Sequence, residues 1–263
     1  MSLCLHDVAI LGTAVPEQIR DGRKTVCVAA WQKDMGLIRL YPCRANADWL
    51  ARWSIIDVHV ERSPKDTRRE SFKIVGSHED WEGFSDTSVQ CKGHINARKG
   101  REILDQLQVS CVSDVNAQKD SLCVVTPDSI QYRLANNPSY GKPINKLLIE
   151  YPGESWLSTK ADFPFQPRIQ FHCSKTCKTY HDMTVVEWGA FEWIRKHPHP
   201  ETAMQLFNNW RLADPDYEVS LLLGNQAQHR NSFIVISVFP AKKRAGIPSR
   251  EVSYQSDFLE LAA

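Results

Sequence analysis

Between residues 171 and 183 the chain reads FHCSKTCKTYHDM, which sets Cys173, Cys177 and His181 in a Cys-x3-Cys-x3-His pattern. Thiolates and an imidazole this close together converge on one cation with little chain closure. Soft sulfur combined with nitrogen favours Zn2+, with iron or an iron–sulfur cluster as the alternative. A closed site needs a fourth donor, for which His172, His199 and His229 are the candidates. His229 ranks first, because a hairpin loop can fold back onto a strand–helix turn. A second route recruits Cys91 and His94 of CKGH, which demands closure across both halves of the chain. The plainer alternative leaves both cysteines as reduced thiols, with His181 capping the next helix. A redox dithiol is disfavoured, since the spacing is not Cys-x2-Cys.

Other residues could support chemistry around such a site. Glu187 opens the following helix and is a weak candidate for a general base beside a metal-bound water, or for an acceptor behind the ligand histidine. The loop GNQAQHRN at 224–231 gathers polar side chains between two apolar runs, as binding loops on rigid scaffolds do, and equally suits a solvated hairpin connection. In the first half Arg39, Arg44, Lys65, Arg68 and Arg69 accompany Trp31, Tyr41, Trp49 and Trp53. Cations fix phosphates and aromatic faces stack on unpaired bases, so Arg39, Arg44, Arg68 and Arg69 are the candidate nucleic-acid contacts. The ordinary alternative is that KDTRRE at 65–70 is an exposed turn of mixed charge. No phosphate-binding loop, dinucleotide fingerprint, nucleophile elbow or His-Glu-x-x-His is present.

The elements that must position these residues follow from periodicity. Apolar runs at 5–11, 24–31, 36–41 and 54–61, separated by polar turns, predict antiparallel strands joined by hairpins. Curling such a sheet into a small closed barrel removes exposed edges, which suggests an OB-like barrel. ARKGREILDQLQV at 97–109 predicts an amphipathic helix with Ile103, Leu104 and Leu107 on one face, and SLCVVTP a strand at 121–127. The Asn, Pro, Ser and Gly of 134–144 mark a junction. Beyond it come predicted strands at 145–151 and 168–173, helices at 184–196 and 201–211 separated by Pro198 and Pro200, and a hairpin of 217–223 with 232–239. The expected fold class is thus α+β and β-rich, an N-terminal small antiparallel OB-like barrel followed by a mixed domain with two helices and a terminal β-hairpin. The expected bounds are 1–135 for the barrel domain, 145–240 for the metal-binding domain and 241–263 for a polar tail.

Composition bounds what this architecture can do. The 263 residues are 42% hydrophobic and 24% charged, enough apolar surface for a buried core. A net charge of +1, from 32 basic and 31 acidic residues, gives the whole molecule no field to concentrate nucleic acid, so any such binding must come from local patches. No stretch reaches the roughly 20 apolar residues of a membrane span, and MSLCLHDVAILG is neither a basic leader nor a cleavage site. A cytoplasmic location without a membrane partner is the expectation. Most of the eight cysteines sit singly in apolar runs such as TVCVAAW, where they behave as small buried hydrophobes.

Several blocks together, TVCVAAW at 25–31, LIRLYPCR at 37–44, KDTRRESFKI at 65–74, SLCVVTPDSI at 121–130, the Cys/His motif with Val186-Glu187-Trp188, and LLLGNQAQHRNSFIVISVF at 221–239, resemble an uncharacterised prokaryotic family often found near mobile-element or phage-defence genes. The resemblance spans most of the chain, and implies an OB-like N-terminal barrel and a C-terminal Cys/Cys/His knuckle before an acidic-Trp-Glu-like helix start. Here that start reads Val186-Glu187-Trp188, a departure that weakens a catalytic transfer to Glu187. The resemblance carries no reaction, but its genomic setting favours nucleic-acid work. Three functions follow as expectations: a nucleic-acid-binding accessory protein within a larger defence or mobile-element complex, a metal-dependent hydrolase or nuclease, and a protein-interaction scaffold.

Overall fold

The computed structural model describes residues 2–19, 21–63, 66–142, 154, 156–244 and the backbone of 251–254. The chain divides into two compact units, Met1–Leu107 with Gly141–Asp162, and Gln108–Tyr140 with Phe163–Ala263. The strand expected at 145–151 and the side chain of Lys65 lie outside the described residues.

In the first unit β1 (Ser2–Thr13), β2 (Glu17–Gln18), β3 (Lys24–Gln32), β4 (Gly36–Arg44), β5 (Ser54–Glu61) and β6 (Ser71–Ile74) precede α1 (Phe84–Ser88), β7 (Val89–His94) and α2 (Ala97–Gln106). Five of these strands close on themselves in the order β1-β3-β4-β6-β5, because β5 also pairs with β1 from Ser2↔Glu61 to Ala9↔Ile55. All of these pairings are antiparallel except β4–β6, which is parallel through Arg39↔Ser71 and Leu40↔Phe72, so the expectation of a wholly antiparallel barrel is corrected at one seam. That seam arises because the chain crosses over through β5 before supplying β6. β5 shows the period-2 logic plainly: Ser54, Ile56, Val58 and Val60 are buried and the residues between them are not. With Val8, Ile10, Val26, Val28, Ile38, Leu40 and Ile74 they fill the interior, each aliphatic side chain contributing about 1.5–3 kcal/mol of burial. α2 buries Ile103 and Leu104 as its periodicity predicts, and Asn96 caps it by accepting from the Lys99 amide at 2.9 Å. At Gly100 a Cβ would stand 2.7 Å from the Trp53 ring, so only glycine lets this helix approach.

The second unit holds α3 (Val112–Gln118), β8 (Leu122–Val125), β9 (Ser129–Asn136), β10 (Phe165–His172), β11 (His181–Thr184), α4 (Trp188–Lys196), α5 (Pro200–Ala203), α6 (Gln205–Asn209), β12 (Tyr217–Gln226), β13 (His229–Lys242) and β14 (Glu251–Tyr254). Two sheets result, ordered β11-β10-β9-β14 and β13-β12-β8. The chain passes from the second unit to the first between Tyr140 and Gly141, inside the junction expected at 134–144, and also changes unit after Leu107 and after Asp162. The strand at 122–125 pairs with β12 in the second unit, while Gly141–Asp162 return to the first. Glu154 shows why they return: its buried carboxylate accepts from Trp81 Nε1 at 2.8 Å and from the Lys24 amide at 2.9 Å. The helix expected from 184 begins at Trp188, with Ala190, Phe191 and Ile194 buried, and that expected over 201–211 is broken at Met204 into two short pieces. Much of 224–231 is strand, since β12 and β13 stay paired to Gln226↔His229. Glu251–Tyr254, expected in a polar tail, adds a strand parallel to β9. No helix among the described residues is long and apolar enough to cross a membrane.

Candidate metal centre

β10 and β11 form a hairpin whose last pair is Phe171↔His181, so residues 172–180 are its connection and the Cys/His motif is its tip. Cys173 leaves the end of β10 buried, the Cys177 amide donates to the Ser174 carbonyl at 3.0 Å to close the turn, and His181 opens β11. The fourth neighbour comes from far upstream. Cys111 stands immediately before α3 with extended backbone, and the donor atoms of Cys111, Cys173, Cys177 and His181 all lie within 4.8 Å of one another. Cys111 Sγ and Cys177 Sγ are 3.6 Å apart, and Cys177 Sγ lies 3.8 Å from His181 Nε2.

These separations fit one ion. Four donors on a tetrahedron with metal–sulfur bonds of about 2.3 Å have edges of about 3.8 Å. They do not fit a disulfide, which needs sulfurs about 2.05 Å apart, and all eight cysteines are free. Electrostatics points the same way. Burial, reinforced by the neighbouring sulfurs of Cys111 and Cys177, pushes the Cys173 thiol up to about 12, against a backbone hydrogen bond at Val112. Burial also disfavours the Cys111 thiolate, but hydrogen bonds with Ser113 and with the other thiols outweigh it and bring the thiol below its ordinary value. Burial and, secondarily, His172 lower His181, so its imidazole is neutral and able to ligate. Three sulfurs packed together resist shared ionisation unless a cation compensates them, and a bound divalent ion inverts that balance.

The structure thus brings Cys173, Cys177 and His181 together and supplies Cys111 where His229 was expected. His229 is exposed at the first residue of β13, paired with Gln226, and is not one of the four. His172 supports the turn, its Nδ1 lying 3.1 Å from the Cys177 carbonyl, and the His199 carbonyl caps α5 by accepting from Thr202 and Ala203. Cys91 and His94 lie on β7 in the first unit, with His94 Nε2 3.1 Å from Ser54 Oγ, and are not in the group. Glu187 is outside it too. Its Oε2 accepts the Val238 amide at 2.9 Å, tying the start of α4 to β13 and leaving it a structural task.

Among the arginines singled out in the first unit, two are buried. Arg39 is 5% exposed, with Nη1 3.6 Å from Cys27 Sγ, and Arg68 is 8% exposed and ion-paired with Asp66 at 2.6 Å. A guanidinium enclosed in this way presents little surface to a phosphate. Arg44 donates to the Glu82 carbonyl beside a cavity of about 350 Å³ lined by Asn46, Asp48, Trp49, Ser85, Asp86 and Cys91. Arg69 is exposed.

Comparison with family models adds an identity to this geometry. Residues 5–105 match the domain of unknown function DUF8758, and residues 102–260, more than half of the chain, match the domain of unknown function DUF8757. The chain belongs to the DUF8757 family. The two matches overlap at 102–105, a few residues before the change of unit after Leu107, and all four metal-site residues lie in the DUF8757 part. Coverage by two families of unknown function accords with the resemblance to an uncharacterised family. No curated protein matches this DUF8757 chain in sequence. One similar solved structure is a murine DNA-binding protein bound with double-stranded DNA, with 7% identity, a TM-score of 0.31, and coverage of 95% of this chain and 99% of that one.

Proposed function

We propose that this protein is a nucleic-acid-binding accessory protein whose DUF8757 region is clamped by a structural Zn2+ held by Cys111, Cys173, Cys177 and His181. The observation that carries the metal reading is the convergence of three sulfurs and one imidazole within 4.8 Å of one another. Four protein donors fill a tetrahedral shell, which is how structural zinc sites differ from catalytic ones that keep a position open. That closure, with Glu187 engaged by the Val238 amide, favours a structural clamp over the metal-dependent hydrolase. Pairwise separations below 5 Å suit one ion better than an iron–sulfur cluster, whose ligands are spread over several irons. Greek-key order in a closed five-stranded barrel supports the OB-like reading of the first unit, and such barrels bind oligonucleotides. The resemblance to a family met near mobile-element and phage-defence genes supports a cytoplasmic role in a larger complex of that kind.

Full-length protein purified without chelator is expected to carry one zinc per chain by elemental analysis. It should also bind oligonucleotides with an affinity that falls steeply as salt rises. Substoichiometric metal overturns the clamp, and salt-independent or absent binding overturns the nucleic-acid role.

A further inference from the structure

The outward face of the β9–β10–β11 sheet has a composition that stability does not explain. Ile130 and Leu134 on β9, Ile169 and Phe171 on β10 and Met183 on β11 turn into the core, so the alternate residues share the other face. There Arg133 and Arg168 stand directly opposite one another in the ladder, where like charges are destabilising. One carboxylate answers both: Asp182 is 2.9 Å from Arg133 Nη2 and 2.7 Å from Arg168 Nη2. Both side chains are 22% exposed. Gln131 and Gln170 form the next cross-strand pair on the same face.

The metal knuckle brings further groups to this face. Tyr180, 42% exposed, donates its hydroxyl to Gln131 Oε1 and lies 3.4 Å from Gln170 Oε1. Its ring lies against His172 with centroids 4.9 Å apart. Lys175 and Lys178 are exposed on the same β10–β11 connection. Among the described residues, four permanent cations across sheet face and knuckle thus meet Asp182 and, beside the start of β9, Asp128.

We infer that this face, from Arg133 and Arg168 to Tyr180 and the knuckle lysines, binds an unpaired nucleic-acid strand. The inference rests on the nucleic-acid reading above and moves its contact surface into the DUF8757 region. Each part has a role in single-strand recognition. The tyrosine ring offers a face for a base, the lysines and the partly exposed guanidiniums attract phosphates, and the Gln131 amide nitrogen meets base edges, while that of Gln170 donates to Asp182 at 3.0 Å. A duplex hides its base faces and gains nothing from the ring. Zinc in the knuckle fixes Tyr180 next to the ligand His181, so the stacking surface is preorganised.

The test uses zinc-loaded full-length protein and fluorescently labelled oligo(U), oligo(dT) and a duplex of equal length, titrated at several salt concentrations. Oligo(U) and oligo(dT) decide between RNA and DNA, and both should outbind the duplex. Tyr180→Ala should weaken single-strand binding about 10-fold, and Tyr180→Phe should retain most of it. Lys175→Glu with Lys178→Glu, in an exposed turn, should weaken binding and lower the salt slope by about 2. Zinc content is measured on every variant; should Tyr180→Ala lose zinc, the lysine pair decides. Wild-type protein that binds strands while the lysine and tyrosine variants bind equally well overturns this surface and leaves the general nucleic-acid role standing. Wild-type protein that binds no strand overturns both, and capture of a protein partner by this face instead overturns the inference in favour of a scaffold.

Discussion

Cys111 separates what adjacency in sequence can reveal from what folding must supply. Cys173, Cys177 and His181 were legible because their spacing lies within a single turn, whereas the fourth donor joins only when α3 packs at the hairpin tip. One signal did exist: unlike Cys27 and Cys123, which sit inside apolar runs, Cys111 is flanked by Ser110, Ser113 and Asp114, a helix-start pattern. His229 was favoured for its polar loop, but that loop is mostly paired strand. Substitution decides between the two donors. Cys111→Ser should lower zinc affinity by more than the roughly 10–100-fold typical of groups that only support a ligand, and His229→Ala should leave it unchanged, as read by competition with a chromophoric chelator. The reverse pattern would restore His229. The buried arginines hold the same lesson. Spacing identifies a guanidinium but not its partner, and Arg68 is engaged by the carboxylate just two residues before it.

At the scale of elements, period-2 and period-3.6 patterns located β1, β3, β4, β5 and α2 well, because each buries one face that the sequence marks. They failed where tertiary pairing, not local preference, chose the structure: the parallel β4–β6 seam, β11 in place of a helix start, and the late strand β14 beside β9. The connection from β5 to β6 depends on an ion pair that pH can test. Although burial opposes it, hydrogen bonds from the Arg68 side chain and amide hold the Asp66 carboxyl at about 2, below the ordinary 3.8. A depressed carboxylate contributes stability that is complete above the unfolded value and is lost as pH falls from about 3.8 towards about 2. Urea midpoints should therefore fall more for wild type than for Asp66→Asn between about pH 5 and about pH 2.5, the range that brackets this titration. Parallel pH dependence in the two proteins would show that the pair contributes nothing to the barrel.

For the molecule as a whole, the chain changes unit after Leu107, after Tyr140 and after Asp162, and only the second change falls in the turn-rich stretch at 134–144. Turn-forming composition marks where a chain can bend, and only contacts such as those of Glu154 show to which core it returns. The division has a thermodynamic consequence for the metal. A single ion joining Cys111 to the 173–181 hairpin ties together two separate stretches of the second unit, restraining its unfolded chain much as a disulfide would, and among the described residues no donor comes from the first unit. Removing zinc should therefore destabilise one unit selectively. Hydrogen exchange after chelation is expected to speed up in β9, β10 and the segment around α3, with β1, β3 and β5 keeping the protection conferred by their closed barrel. Readdition of zinc should restore the lost protection. Equal loss of protection in both units would mean that they unfold as one cooperative body, and unchanged protection everywhere would mean that the cysteine cluster folds without help from a cation.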